Sequence, residues 1–133
     1  MAEPKAEEWM KISKLLLSLL IFTLSSCGDI FTPTKKIDGP YYLSESEDGN
    51  YWTLYYQLDD SSGHGRVDSV HKIGWTDNFI FVENNNRYYF IDKEKDQGLL
   101  NADEIVIGPF GHNQFVQMLD SLKLQNFSFQ LSF

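Results

Sequence analysis

Short segments of alternating polar and apolar residues, divided by polar turns, constrain the fold of this sequence most. The clearest is Tyr51 to Leu58, where Trp52 and Leu54 fall on one face of a strand. Turn signals at Asp48-Gly49 and at 84–86 separate such segments. Their connections are too short for parallel crossovers, so we predict an antiparallel meander. The five predicted strands are Tyr41–Glu45, Tyr51–Leu58, Val67–Trp75, Phe79–Glu83 and Arg87–Asp92.

The C-terminal part has a helical period. Its apolar residues recur at i, i+3, i+4 and i+7, and they are Phe115, Met118, Leu119 and Leu122. Asn113 is the candidate N-cap of a helix that runs to about Lys123. Residues 105–107 could add a sixth strand, and 127–131 could form a last strand or an apolar tail. We therefore predict an α+β domain over 41–133, with a five- to six-stranded meander sheet and one C-terminal helix.

An apolar run at 15–24 is too short to span a bilayer but fits the helix of a secretory signal peptide. The residues that follow, Leu24-Ser25-Ser26-Cys27, resemble a bacterial lipobox. The resemblance implies that residues 1–26 are cleaved off and that Cys27 carries the lipid anchor, including palmitate-type acyl chains. The alternative is a buried helix that ends in a free cysteine, the only one in the chain.

The region before the apolar run favours a start at Met10. Counted from Met1, lysines and glutamates balance, whereas signal peptides begin with a positive charge. Counted from Met10, Lys11 and Lys14 supply that charge. We predict that translation begins at Met10.

The negative net charge disfavours two kinds of partner. The chain carries −8, and the lysines and glutamates before Cys27 cancel, so the remainder carries all of it. A nucleic-acid ligand and electrostatic adhesion to anionic lipid are both disfavoured. Residues 27–40, which contain Pro33 and Pro40, read as a tether between the lipid anchor and the domain.

Catalytic and metal-binding patterns are lacking in the sequence. His64, His71 and His112 do not have the spacing of a helical metal site, and His71 reads as a partly buried strand residue. The acidic clusters read as solvated turns, and no G-x-S-x-G occurs. We therefore predict no catalytic residue, no metal and no cofactor.

Aromatic doublets give the one candidate binding surface. Neighbouring side chains in a strand point to opposite faces, so each Tyr-Tyr pair places one ring outward. The outward rings need a cover, which could be the C-terminal helix, a second sheet, or a glycan or protein ligand. The candidate surface consists of Tyr41, Tyr51, Tyr55 and Tyr88.

The order of several short motifs resembles a family of small uncharacterised bacterial lipoproteins. These motifs are Ile73-Gly74-Trp75, Phe79–Val82, Tyr88–Asp92, Ile107–Phe110 and a helix led by Phe115, and the resemblance covers about 67–123. It implies a small sheet-plus-helix protein held at the extracytoplasmic side of the cell envelope. We expect a non-catalytic binding or structural module. The alternative is a small hydrolase or an inhibitor- or immunity-type lipoprotein that uses the 59–66 loop.

Overall fold

The computed structural model describes residues 32–133 together with Met10, Lys11, Ser13 and Lys14. Those four residues have a helical backbone and are exposed. Most of the predicted signal peptide, and Cys27, lie outside the described residues. Thr32–Phe133 form a compact unit of their own. Among the described residues, no helix is long and apolar enough to cross a membrane.

Within residues 32–133, nine strands form two antiparallel sheets, accompanied by two helices. The strands are β1 (Thr34–Asp38), β2 (Tyr41–Glu45), β3 (Trp52–Gln57), β4 (Gly63–Val67), β5 (Lys72–Trp75), β6 (Phe79–Asn84), β7 (Arg87–Asp92), β8 (Ile107–Phe110) and β9 (Leu131–Ser132). Sheet 1 has the order β1-β2-β3-β4, and sheet 2 has the order β8-β7-β6-β5-β9. The helices are α1 (Ala102–Ile105) and α2 (His112–Ser121).

The main core combines residues of both sheets. Leu43 and Leu54 of sheet 1 are fully buried in the same cluster as Ile73, Ile80 and Ile91 of sheet 2. The sheets therefore bury one face each against a shared core, as apolar sheet faces must. The α+β prediction is confirmed at this level.

The prediction of a single meander sheet of five or six strands was wrong. The predicted third strand, Val67–Trp75, is interrupted at 68–71, where Ser69 has a positive φ of 51° and β4 ends. After this break the chain continues as β5 in the second sheet. Polar and apolar residues alternate in the same way whether consecutive strands belong to one sheet or to two. The sequence pattern therefore could not reveal the change of sheet.

Part of the predicted tether is folded. Thr34–Asp38 form β1, which pairs with β2. Ile37 explains why: its side chain is only 8% exposed and belongs to the main core. The prolines suggested an irregular segment, but a single buried apolar residue and a free strand edge on β2 are enough to hold five residues in a strand.

The C-terminal elements follow the prediction with shifted ends. Helix α2 begins at His112 and is preceded by Gly111, whose N–H donates to Gln114 Oε1 at 2.9 Å, so Asn113 is not the N-cap. Ile105 ends α1, and the predicted sixth strand begins at Ile107. The last strand, β9, is limited to two residues.

The second face of sheet 2 is covered by the chain's own C-terminal part. Phe81 is fully buried, and its ring centroid lies 4.7 Å from that of Phe127 and 5.8 Å from that of Phe115 on α2. Gly74 makes room for this cover, since a Cβ there would lie 2.5 Å from Phe127 Cζ. The helix thus packs on aromatic residues, as its apolar period required.

Candidate ligand-binding surface

The outer face of sheet 1 carries two stacked tyrosine rings. Tyr42 and Tyr55 lie directly opposite each other on β2 and β3. Their ring centroids are 5.4 Å apart, and the planes are inclined by 16°. Both residues are partly exposed. No helix of the described residues covers this face in the way that α2 covers sheet 2.

Glycines on β4 let these rings lie low on the sheet. A Cβ at Gly63 would lie 2.1 Å from Tyr42 Oη, so the tyrosine hydroxyl occupies the space of the missing side chain. Gly65 pairs with Tyr55, and a Cβ there would lie 3.9 Å from Tyr55 Cε1, an ordinary contact. We call the rings of Tyr42 and Tyr55 together with Gly63 and Gly65 the tyrosine platform.

A groove with a volume of about 510 Å³ opens beside the platform. It lies where β1 begins and where the β2–β3 turn closes. Rings, hydroxyls and carboxylates line it. Its lining residues are Thr32, Ser44, Glu45, Ser46, Glu47, Asp48, Tyr51 and Tyr55. Ring faces pack against apolar C–H surfaces of a ligand, and carboxylates accept hydrogen bonds from its hydroxyl or amine groups.

The β2–β3 turn holds its carboxylate in a fixed place. Ser46 Oγ donates to Asp48 Oδ1 at 2.6 Å, and Asn50 donates from its backbone N–H and its Nδ2 at 3.1 and 2.8 Å. These hydrogen bonds, that of Ser46 first, lower the pKa of Asp48 below its usual range. The turn therefore presents a negative charge at neutral pH without having to reorganise.

The Tyr42 hydroxyl of the platform stays protonated at neutral pH. Burial raises the pKa of Tyr42 above its usual value, and the neighbouring Tyr55 adds to the effect. A protonated phenol both donates and accepts hydrogen bonds. The surface can therefore pair with a neutral polar ligand on the platform side and with a donor on the carboxylate side.

Two of the four predicted surface tyrosines are buried, which corrects that prediction. Tyr41 is 2% exposed and lies in the main core. Tyr88 stacks on Phe115 with ring centroids 4.4 Å apart, inside the cover of sheet 2. Tyr51, 46% exposed, and Tyr55 do line the groove. The four therefore do not share one face.

Tyr42 is the platform residue that the predicted set missed. The doublet Tyr41-Tyr42 required one ring inward and one outward, but it did not say which. The register decides it, because Tyr42 pairs with Tyr55 while Tyr41 pairs with Tyr56, which packs against the main core. Glycines at alternate positions of the next strand, Gly63 and Gly65, were the available signal for the outward face.

A buried ion pair ties sheet 1 to the segment after β7. Arg66 on β4 donates to both oxygens of Asp96 at 2.9 and 2.8 Å, and both side chains are fully buried. Tyr41 Oη donates to the same carboxylate at 2.8 Å, and Gly98 N–H donates at 3.0 Å. Arg66 also donates to the Leu100 carbonyl oxygen at 3.0 Å.

This network is structural. Burial alone would raise the pKa of Asp96, but the hydrogen bonds of Arg66, Gly98 and Tyr41 outweigh it and hold the pKa below its usual range. Among the described residues, no buried side-chain nitrogen or oxygen lacks a hydrogen-bond partner. No polar atom of the network is left for a substrate.

Only the first half of the predicted 59–66 loop is a loop, because Gly63–Val67 form β4. Only the turn before β4 is outside a strand, and Asp59 Oδ1 holds it by accepting from the backbone N–H groups of Ser61 and Ser62 at 2.9 and 2.8 Å. His64 Nδ1 lies 2.9 Å from the Gly98 carbonyl oxygen. Arg66, the last residue of this segment, is the buried partner of Asp96.

The histidines are not assembled into a site. His71 is exposed and precedes β5, so the expectation of a partly buried strand histidine was wrong. His112 begins α2 and packs edge-on against Tyr88. In the part of the chain that the structure describes, no group of three His, Cys, Asp or Glu side chains could hold a metal ion.

Comparison with family models, with curated proteins and with solved structures finds no match for this chain. The resemblance to small bacterial lipoproteins therefore stays a prediction.

Proposed function

We propose that this protein is a lipid-anchored, non-catalytic binding module of the cell envelope, and that it binds its ligand on the outer face of sheet 1. The observation that carries the proposal is the contrast between two aromatic faces. The outer face of sheet 2 is covered by α2 and the C-terminal segment, whereas the tyrosine platform and the groove have no such cover among the described residues.

The lipid anchor is supported by the sequence around Cys27. The apolar run, the small residues and the only cysteine of the chain agree with a lipoprotein signal. Two or three acyl chains on Cys27 would give stable attachment to a bilayer. Labelled palmitate should be incorporated into the wild-type chain, and the Cys27→Ser variant should remain unlabelled. Equal labelling of both would contradict this part of the proposal.

Glycans are the leading ligand class for the groove. Sugar rings present C–H faces that pack on tyrosine rings and hydroxyl groups that donate to carboxylates, and the groove offers both kinds of partner. A protein or peptide ligand is the other outcome that the same surface allows. A glycan array and a peptide array probed with the soluble fragment 28–133 separate the two.

Matched variants make the array decisive. Tyr51→Ala removes a groove residue that is 46% exposed, and Phe133→Ala removes an aromatic residue that is 44% exposed but does not line the groove. We expect Tyr51→Ala to lower affinity at least tenfold, which corresponds to about 1.4 kcal/mol. Phe133→Ala should bind like the wild type. Binding that is insensitive to Tyr51 but lost with Phe133 would place the ligand elsewhere.

A further inference from the structure

The groove beside the tyrosine platform holds three carboxylates and no basic side chain. Its acidic lining residues are Glu45, Glu47 and Asp48, and the other lining residues are serine, threonine and tyrosine. The three ion pairs among the described residues use other carboxylates, which are those of Asp38, Asp92 and Asp96. No lysine or arginine that the structure describes therefore neutralises the groove by a direct ion pair.

Two of the groove carboxylates lie against the β2–β3 turn. The Glu45 carboxylate reaches back to Gly49, since a Cβ at Gly49 would lie 3.5 Å from Glu45 Oε1. Asp48 is held in the same turn by hydrogen bonds from Ser46 and Asn50. The negative charge therefore has a defined position before a ligand arrives, and less side-chain freedom is lost on binding.

The aromatic rings of the groove point to the same kind of ligand independently. The face of a phenol ring attracts cations, and both Tyr51 and Tyr55 line the groove. Among the described residues, the cations that lie over aromatic rings are those of Lys35 and Arg66. Their rings belong to Trp52, Phe133 and Tyr56. The two tyrosine rings of the groove are thus not occupied by a described cation of the chain itself.

From these two features we propose that the groove binds a positively charged organic ligand, and that this ligand is an oligosaccharide whose amino sugars carry free rather than acetylated amines. The inference deepens the proposed function and rests on it. A sugar ring places an ammonium group at a fixed distance from its C–H face, so it can meet a carboxylate and a tyrosine ring together. A flexible lysine side chain of a basic peptide would lose more conformational freedom in the same place.

Two tetrasaccharides that differ only in their amines test the charge. One consists of β-1,4-linked glucosamine, and the other is its fully N-acetylated counterpart. Calorimetric titration of the full chain in a neutral detergent, at a mildly acidic pH that keeps the amines protonated, measures both affinities. We expect the free amine form to bind about tenfold more tightly, which two surface ion pairs together can supply. Tetralysine is the third probe and represents a basic peptide.

A matched pair of variants separates the groove from general attraction to an acidic chain. Glu47→Gln and Glu94→Gln each remove one negative charge from an exposed turn glutamate, but only Glu47 lines the groove. Glu47→Gln should weaken binding of the glucosamine tetrasaccharide about two- to fivefold, as expected for one exposed ion pair, and Glu94→Gln should leave it unchanged. Raised salt should reduce the preference for the free amine form.

The further inference and the proposed function fail in different ways. Equal affinity for the two tetrasaccharides, or tighter binding of the acetylated one, overturns the charge preference; if that binding is still weakened by Tyr51→Ala, the proposed binding surface stands. Equal weakening by Glu47→Gln and Glu94→Gln also overturns the inference, because the attraction is then diffuse. Tighter binding of tetralysine than of the glucosamine tetrasaccharide overturns the assignment to a sugar. Binding of the glucosamine tetrasaccharide that is insensitive to both Tyr51→Ala and Glu47→Gln overturns the groove as its site, and absence of binding to all three probes overturns the inference.

Discussion

The two sheets of this protein carry aromatic residues on their outer faces, but only one of these faces is covered. On sheet 2, Phe81 and Tyr88 lie beneath α2 and the segment that contains Phe127. On sheet 1, Tyr42 and Tyr55 stack on each other beside a groove and lie over glycines. The first face is completed by the chain itself. Under the proposed function, the second is completed by a ligand.

This difference separates residues that stabilise the fold from residues that are available for binding. A fully buried phenylalanine contributes its whole side chain to the core, whereas a partly exposed tyrosine contributes less. Substitutions on the two outer faces should therefore divide into a class that changes the free energy of unfolding and a class that changes ligand affinity.

The largest effect is expected at Phe81. Phe81→Ala leaves a cavity under α2, and the substitution should lower the free energy of unfolding by about 3–5 kcal/mol. Urea unfolding followed by near-ultraviolet circular dichroism measures it. Tyr55→Ala on the other sheet is the matched comparison, with an expected loss below about 1.5 kcal/mol. Equal losses at the two positions would show that the outer face of sheet 1 is also part of the core.

Asp96→Asn should have the next largest effect. It should lower the free energy of unfolding by about 3 kcal/mol, because it leaves the buried Arg66 guanidinium without its counter-charge. The effect should depend on pH. The pKa of Asp96 is lower in the folded protein than in the unfolded chain. Its contribution is therefore complete above the ordinary carboxyl pKa of about 3.9, and it is lost as pH falls through the folded value.

The pH dependence is tested by measuring the unfolding midpoints of the wild type and of Asp96→Asn from neutral pH down to acid. The gap between the two proteins should be widest near neutral pH and should narrow in acid. A gap that stays constant with pH would show that the carboxylate charge does not contribute to stability.

Gly98→Ala should destabilise the fold by about 1–3 kcal/mol. Gly98 has a φ of +74°, and a Cβ there would lie 2.5 Å from Tyr56 Cε1, so both the backbone and the ring resist the change. Thermal unfolding measures the loss. Gly39→Ala is the control, because Gly39 also has a positive φ but would have no atom within 4 Å of an added Cβ. Equal losses would mean that the contact with Tyr56 is unimportant.

The smallest effect on stability, below about 1 kcal/mol, is expected for Gly63→Ala. The added methyl group meets the end of the Tyr42 side chain, which can move. The platform would no longer be flat, so ligand affinity should fall although the fold is kept. A variant that is as stable as the wild type and binds equally well would remove the platform from the proposed site.

The sequence predicted secondary structure better than it predicted partners in space. The alternation at 52–57 correctly placed Trp52, Leu54 and Tyr56 on the core side, and the period from Phe115 to Leu122 correctly identified the apolar face of α2, because local geometry alone decides which side chains share a face. The change of sheet at 68–71 and the burial of Tyr41 depend on long-range pairing. Arg66 and Asp96 are separated by 30 positions, so no local pattern could join them.

Tyrosine footprinting in native membranes tests the central claim most directly. Modification of Tyr42, Tyr51 and Tyr55 should be lower in membranes that contain the natural ligand than in purified, reconstituted protein, while Tyr88 should be unreactive in both, because α2 covers it. If the three sheet 1 tyrosines are modified to the same extent in both preparations, the outer face of sheet 1 is not a binding surface in the cell.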